Sequence, residues 1–250
     1  MHRSLKQHWA VVESRGEPIP GAVLLVLSCA SLAASAMPGQ FVMLRVSESS
    51  DPYLRIPLPI HRIYPHGVAL LINDRDIPVT LFSVGSRVDV LGPAGHADRL
   101  EAEQSIALIA LGGGIAPLMS FVDSPVKHLV LLAWVASAGQ VYPPQLVPRS
   151  VEYFPYVGEA AAAAFYTAMG ELPRWAQTVF AAGDKAMYTK LNQLYREQTL
   201  PLRHGQVKVW LFTDMACGTG ACRGCVIPAR RGNLRCCQDG PFIDLADLDQ

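Results

Sequence analysis

Five of the six cysteines in this 250-residue chain lie between Met215 and Pro241, in the stretch MACGTGACRGCVIPARRGNLRCCQDGP. Thiols crowded this closely pair as disulfides, stay free and reactive, or share a metal, and each outcome restricts the fold around them. Cys217, Cys222 and Cys225 give C-x4-C-x2-C, with Cys236 or Cys237 available as a fourth. This is the plant-type spacing of a [2Fe–2S] cluster, in which four thiolates hold two irons. Bridging sulfides accept hydrogen bonds, so the N–H groups of the loop must turn inward. Gly218, Gly220 and Gly224 permit the positive-φ curvature this requires, and Ala216 and Ala221 let the loop lie close. IPARRGNLRC reads as a short hairpin that turns at Arg231–Gly232–Asn233 and brings the last thiol back. A structural zinc site is the main alternative, although zinc more often joins two short knuckles. In an extended segment Cys236 and Cys237 point to opposite faces, and spacing alone does not choose between them. Cys29 stands apart in an apolar run and reads as a small buried hydrophobe.

Half of the residues are hydrophobic and 17% are charged, which places the chain among globular proteins. Lys plus Arg and Asp plus Glu balance at 21 each, so there is no basic excess to attract nucleic acid or an anionic membrane. AVLLVLSCASLAASAMPG is broken by serines, and SIALIALGGGIAPLMSFV by three glycines and a proline, so neither reads as a membrane span. MHRSLKQHWAVVES has no apolar signal core, and a reducing, cytoplasmic setting is expected. There, clustered cysteines hold metal more often than they form disulfides. No G-x-S-x-G, H-E-x-x-H or Walker sequence appears, which argues against a hydrolase or an NTPase.

Residues 8–95 read as all-β. WAVVE, AVLLVL, FVMLRV, VALLI and RVDVLGP recur at strand length between Pro, Gly, Ser and Asp turn signals, as in a small barrel or sandwich. From about residue 100 the pattern becomes strand–helix. SIALIAL, HLVLLAWVA and TVFAAG read as buried strands, while EAAAAAFYTAMGEL and DKAMYTKLNQLYREQ read as helices, the latter with Met187, Leu191 and Leu194 on one face. VKVWLFT is a further strand before the cysteines. The expected organisation is a β-barrel over 1–100, an α/β domain over 101–204 and a cluster-binding tail over 205–250.

With MACGTGACRGC followed by RCCQDGP, the chain resembles the electron-transfer subunits of class 1B, NAD-dependent dihydroorotate dehydrogenases, a branch of the ferredoxin-reductase-like flavoproteins. Laid on that family's K-V-C-x-D-G-P, LRCCQDGP puts Cys237 at the ligand position, so the resemblance implies Cys217, Cys222, Cys225 and Cys237 as ligands. MPGQFVMLRV resembles the family's P-G-Q-F-V strand, and LRIPLPIHRI its flavin signature L-R-R-P-x-S-I. FSVGSRVDVLGPAG resembles the segment ending G-P-x-G, and LGGGIAPLMSF resembles the nucleotide loop. FAAGDKAMYTKL resembles the later C-G-P-x-x-M segment. The resemblance implies a ferredoxin-reductase-like barrel plus α/β fold with a C-terminal [2Fe–2S] module. It implies FAD at Arg55, Pro57, Ile60, Gly92 and Pro93, and NAD at Gly112, Gly113 and Gly114. It also implies a hetero-oligomer with an FMN-containing dihydroorotate dehydrogenase catalytic subunit, and electrons ending on NAD. The chain departs from the family in several places, among them a nucleotide loop shorter by two residues, Ala182-Gly183-Asp184 in place of Cys-Gly-Pro, and no clear match to the acidic T-D-D-G segment. Ile56 stands where the signature has its second arginine, Pro59 where it has serine, and Arg75-Asp76 where Gly-Thr is usual. These departures bring in a rival, an iron–sulfur relay or structural partner whose FAD and NAD sites have lapsed; a zinc scaffold is a second. His61 and Arg62, after the flavin-type segment, read as a solvated strand end or as groups approaching a cofactor, and Ala229–Arg231 as a solvated tip or a basic lip beside the cluster.

Overall fold

The computed structural model describes residues 5–46, 53–73, 77, 82–197, 203–211, 213–230 and 232–248. Alternation builds the first half. From His8 to Val12 in β1 (Lys6–Ile19), and along β2 (Ala22–Ser28), every second residue turns inward, so that Ala10, Val12, Val23, Leu25 and Leu27 share one core. A single helical turn, α1 (Ala30–Ala33), leads to β3 (Phe41–Leu44), β4 (Ile56–Pro59), β5 (Arg62–Tyr64), β6 (Gly67–Asn73) and β7 (Arg87–Ala94). These seven strands form one antiparallel sheet in the order β4-β3-β7-β1-β2-β6-β5. Its two edges, β4 and β5, are consecutive in the chain. Between them the Ile60 N–H donates to Gln40 O (2.9 Å) and the His61 N–H to Ala69 O (2.8 Å), one to each side. The sheet therefore closes as a barrel, which leaves its edges covered.

The second half is a parallel sheet. Strands β8 (Ser105–Leu111), β9 (His128–Val135), β10 (Val151–Val157), β11 (Thr178–Ala182) and β12 (Val207–Trp210) lie in the order β10-β9-β8-β11-β12. After β8 the chain makes a 3-10 turn over Gly112–Gly114 and one α-turn, α2 (Ile115–Leu118). Helices α3 (Ala162–Glu171) and α4 (Lys185–Arg196) follow β10 and β11. Asp184 caps α4 by accepting the Met187 N–H at 2.8 Å, a local reason for that helix to begin there. Because successive strand residues face opposite ways, Ala107 and Ile109 meet Phe165, Met169, Met187 and Leu191 of the two helices, whereas Ile106, Leu108 and Ala110 face a second core. β10 was not foreseen: VEYFPYV is largely exposed and contains a proline, so its apolar signal is weak. Pro155 is tolerated because β10 is an edge strand.

The tail is not separate from this sheet. β12 lies beyond the expected boundary at 204 yet pairs with β11 in parallel, and β15 (Phe242–Asp244), after the cysteines, pairs antiparallel with β12. Between them, β13 (Val226–Ala229) and β14 (Gly232–Arg235) make a two-stranded hairpin, and α5 (Cys236–Asp239) is a single turn. Ala229 pairs with Gly232, so the hairpin turns one position earlier than Arg231–Gly232–Asn233; Arg231 itself lies outside the described residues.

All three parts meet in the second core. Phe41 and Met43 enter from the barrel, Phe121 and Phe180 from the α/β half, and Cys225, Cys236, Cys237 and Phe242 from the tail. Phe121 stacks on Phe180 at 4.3 Å between centroids, and Phe242 packs edge-on against both at 5.5 and 5.3 Å. No described helix is long and apolar enough to cross a membrane. Phe242→Ala should cost about 3–5 kcal/mol, as for other buried rings, whereas Phe154→Ala on the exposed face of β10 should change stability by less than about 0.5 kcal/mol. Urea unfolding of the two variants checks this difference.

Candidate metal centre

The cysteine loop leaves β12 and curls over the barrel strand β3. Gly218 has φ +67, and a Cβ there would lie 2.7 Å from Met43 Cγ, so both conformation and contact demand glycine. Gly220, at φ +76, sits so close to Gln238 that a Cβ would overlap its side chain. The third left-handed residue is Arg223 (φ 57) and not the expected Gly224. An arginine in this region costs roughly 1 kcal/mol or more, and it stands between two of the thiols.

Each of three sulfurs accepts a backbone N–H. Thr219 N donates to Cys217 Sγ at 3.4 Å, Gly224 N to Cys222 Sγ at 3.4 Å, and Cys237 N to Cys225 Sγ at 3.5 Å. Such donors favour the thiolate. At Cys217 burial pushes the thiol up, but hydrogen bonds from Thr219 and Cys222 outweigh it and bring the pKa down to about 6. Cys237 is pushed up to about 12, first by burial and then by its neighbour Cys225. Cys236 is likewise raised by burial. Buried thiols that oppose one another's ionisation are a donor set that a cation would satisfy, and the residues present fit an iron–sulfur cluster in this respect.

Cys236 and Cys237 have different neighbours. The Cys237 thiol is held up by Cys225 and Cys217 together, and its own N–H donates to Cys225 Sγ, whereas Cys236 lies beside Thr213, Cys225 and Asp239. The pair opens the helical turn α5 and not an extended segment, so the expected divergence comes from helical geometry. Among the described residues, the group with three ligand-type atoms within 4.8 Å of one another is His204, Asp244 and Asp247. That group is satisfied internally: Asp244 accepts the Ala246 N–H at 2.9 Å, and His204 lies between the two carboxylates at 3.4 and 3.3 Å.

The flavin-type segment keeps its frame and lacks its cation. β4 pairs with β3 in the register Met43↔Pro57 and Phe41↔Pro59, and Gly92 and Pro93, joined by a cis bond, lie on β7 behind them. Arg55 is committed elsewhere. Its guanidinium meets Asp89 Oδ2 at 2.6 Å and Asp89 O at 3.1 Å, and Ile56 occupies the next position. Ile60, expected at the cofactor, is fully buried in the barrel core. Arg75 and Asp76 lie outside the described residues.

Of the three glycines expected to approach a nucleotide, only two are open. Gly112 and Gly113 are exposed beyond the C-terminal end of β8, where parallel sheets place ligands. Gly114 is needed for packing, because a Cβ there would overlap the Ala182 carbonyl oxygen. The helix that follows these glycines, α2, is a single turn.

His61 and Arg62 are not a solvated strand end. His61 is fully buried, with Nε2 2.9 Å from Tyr142 Oη and Nδ1 3.0 Å from Ala116 O. Arg62 clasps Asp123 through Nε (2.9 Å) and Nη2 (3.0 Å), and donates to Leu146 O at 3.1 Å. Both tie the barrel to the α/β half next to the glycine turn. No local signal could have revealed this, since Tyr142 is 81 residues away.

A closed barrel, a parallel sheet and a thiol hairpin hung on that sheet's edge define a ferredoxin-reductase-like protein with an iron–sulfur tail. Residues 213–249 match the iron–sulfur cluster binding domain of dihydroorotate dehydrogenase B. The chain is 30% identical over 241 residues to the dihydroorotate dehydrogenase B (NAD(+)) electron transfer subunit of Geobacillus thermodenitrificans, covering 90% of this chain and 91% of that one. It is also 30% identical over 228 residues to the same subunit of Geobacillus sp. strain WCH70, covering 84% and 86%. Among solved structures, the NADH-dependent reduced ferredoxin-NADP oxidoreductase superposes with a TM-score of 0.79 at 20% identity, over 96% of this chain and 89% of that one. The ferredoxin reductase of carbazole 1,9a-dioxygenase superposes with a TM-score of 0.68 at 15% identity, over 82% and 69%. The chain belongs to the family of dihydroorotate dehydrogenase B electron transfer subunits.

The buried His61 makes stability pH-dependent. Burial, opposed by the bond to Ala116 O and aided by Arg62, lowers its pKa to about 4, against 6.5 when unfolded. Above pH 6.5 both states are neutral and nothing changes. As pH falls from 6.5 towards 4 the unfolded chain takes up a proton that the folded chain refuses, so stability drops by roughly 3 kcal/mol. A His61→Gln variant should lose that part of the slope between pH 7 and 5 in urea titrations.

Proposed function

We propose that this chain relays electrons one at a time through a [2Fe–2S] cluster held by Cys217, Cys222, Cys225 and Cys237. The electrons would pass between an FMN-containing dehydrogenase subunit acting on dihydroorotate and NAD. The observation that carries the reading is the set of sulfurs that take inward N–H groups on a loop buried against the barrel. A bound cluster supplies reversible one-electron carriage, and the chain sets where and how easily that happens. N–H donors from Thr219, Gly224 and Cys237 offset the negative charge that reduction adds, which raises the potential. Met43, Met215 and Phe242 keep water from the inner side, while Cys222 is exposed and marks the side open to a partner. What supports Cys237 over Cys236 is that its thiol feels both Cys217 and Cys225, and that its own N–H donates to Cys225 Sγ.

In this reading FAD lies along Pro57 and the Gly92–Pro93 bend, and NAD at Gly112 and Gly113. Arg55, Ile60 and Gly114 act as structural residues. One observation favours a second reading, a relay without FAD: the Arg55–Asp89 pair and Ile56 leave the signature without its phosphate-binding cation. Absorbance of anaerobically reconstituted protein separates the two, since flavin bands beside the cluster bands support the first and cluster bands alone the second.

Cys237→Ser should abolish the cluster's visible absorbance and acid-labile sulfide, and Cys236→Ser should retain both. The reverse result would shift the ligand register by one residue. Zinc without iron or sulfide would end the relay reading altogether.

A further inference from the structure

The sixth cysteine has a polar setting of its own, outside the tail. Cys29 follows β2 and is half-buried, its backbone fixed by a bond to His66 O (2.8 Å) and by one accepted from the Ala33 N–H (3.0 Å). The apolar run predicts a buried hydrophobe there. Instead its Sγ lies 3.5 Å from Ser31 Oγ and 3.8 Å from His8 Nδ1. His8 fills an inward position of β1, two residues before Ala10, and is 7% exposed.

The ring is oriented from behind. His8 Nε2 is 3.1 Å from the Gly92 carbonyl oxygen. A carbonyl only accepts, so Nε2 carries the hydrogen and Nδ1 of the neutral ring presents a lone pair. That lone pair faces the Ser31 hydroxyl at 3.0 Å and the Cys29 thiol. A nucleophile, a base and a group that orients the base are therefore assembled on rigid backbone. Ser31 is exposed and Cys29 only partly buried, so the group lies at the surface. The five tail cysteines take no part.

We propose that Cys29 is a reactive thiol, activated by His8 and oxidised by hydrogen peroxide to a sulfenic acid independently of the iron–sulfur tail. His8 Nδ1 takes the thiol proton, with Ser31 donating to the resulting thiolate. The sulfur attacks one peroxide oxygen, forming the S–O bond as the O–O bond breaks. The departing hydroxide takes a proton from the imidazolium and leaves as water. Sulfur gives up two electrons and the peroxide gains them. Because Gly92 directly precedes Pro93, the same imidazole links this thiol to the rim of the flavin-type strand pair.

The test uses cluster-reconstituted full-length protein treated with limiting hydrogen peroxide in the presence of dimedone, followed by tryptic peptide mapping. The peptide from Gly16 to Arg45 carries Cys29 as its one cysteine, so tail chemistry does not interfere. Labelling of Cys29 should outpace that of N-acetylcysteine by at least about tenfold, the low end of base assistance, and His8→Gln should remove the advantage. Ser31→Ala should slow labelling less. If His8→Gln fails to fold, judged by circular dichroism and the cluster bands, the wild-type comparison decides alone. Labelling no faster than N-acetylcysteine, or undiminished in a folded His8→Gln variant, overturns the proposal.

Discussion

The interlocked aromatic cluster of Phe121, Phe180 and Phe242 is the contact on which the other parts depend. Each ring comes from a different stretch of chain, and the barrel closes over them with Phe41 and Met43. Apolar burial is non-directional, so a shared core alone would tolerate sliding between the parts. Directional contacts at its rim remove that freedom. Gly39 N donates to the buried Ser120 hydroxyl at 2.9 Å, His96 N to Gly240 O at 2.6 Å, and His61 spans from the barrel to Tyr142 and Ala116.

This arrangement explains how a thiol loop too short for a core of its own can be held. The loop leaves from β12 and its chain returns as β15, so both ends are stitched into one sheet. Its inner thiols fill the space that aliphatic side chains would otherwise occupy beneath the barrel. Burial raises Cys236 and Cys237, while N–H donors favour ionisation at Cys217. That opposition is typical of a site that is complete only when a cation shares the charge.

The flavin side obeys the same logic in reverse. The strand frame persists because β3, β4 and β7 are needed to close the barrel, whatever they bind. A cation that a phosphate could use is not demanded by the barrel, and Ile56 can stand in its place without disturbing the pairing of Leu44 with Ile56. Gly114 likewise persists through packing on Ala182, so a glycine-rich turn by itself says little about nucleotides.

Local patterns carried much of the architecture. Alternation marked the long barrel strands, continuous apolar runs marked β8, β9 and β11, and the cysteine spacing marked the tail. The edge strand β10, the exact hairpin turn and the left-handed Arg223 escaped because each is set by neighbours and not by propensity. The membership of β12 and β15 in one sheet, the burial of His61 and the pairing of Arg55 with Asp89 depend on contacts between distant segments. The order and spacing of residues by themselves determined a barrel, an α/β half and a set of thiols suited to iron. Only the tertiary structure decided which thiols crowd together, which glycines are filled, and which cations are already spent, because those outcomes follow from distances that no one-dimensional pattern contains.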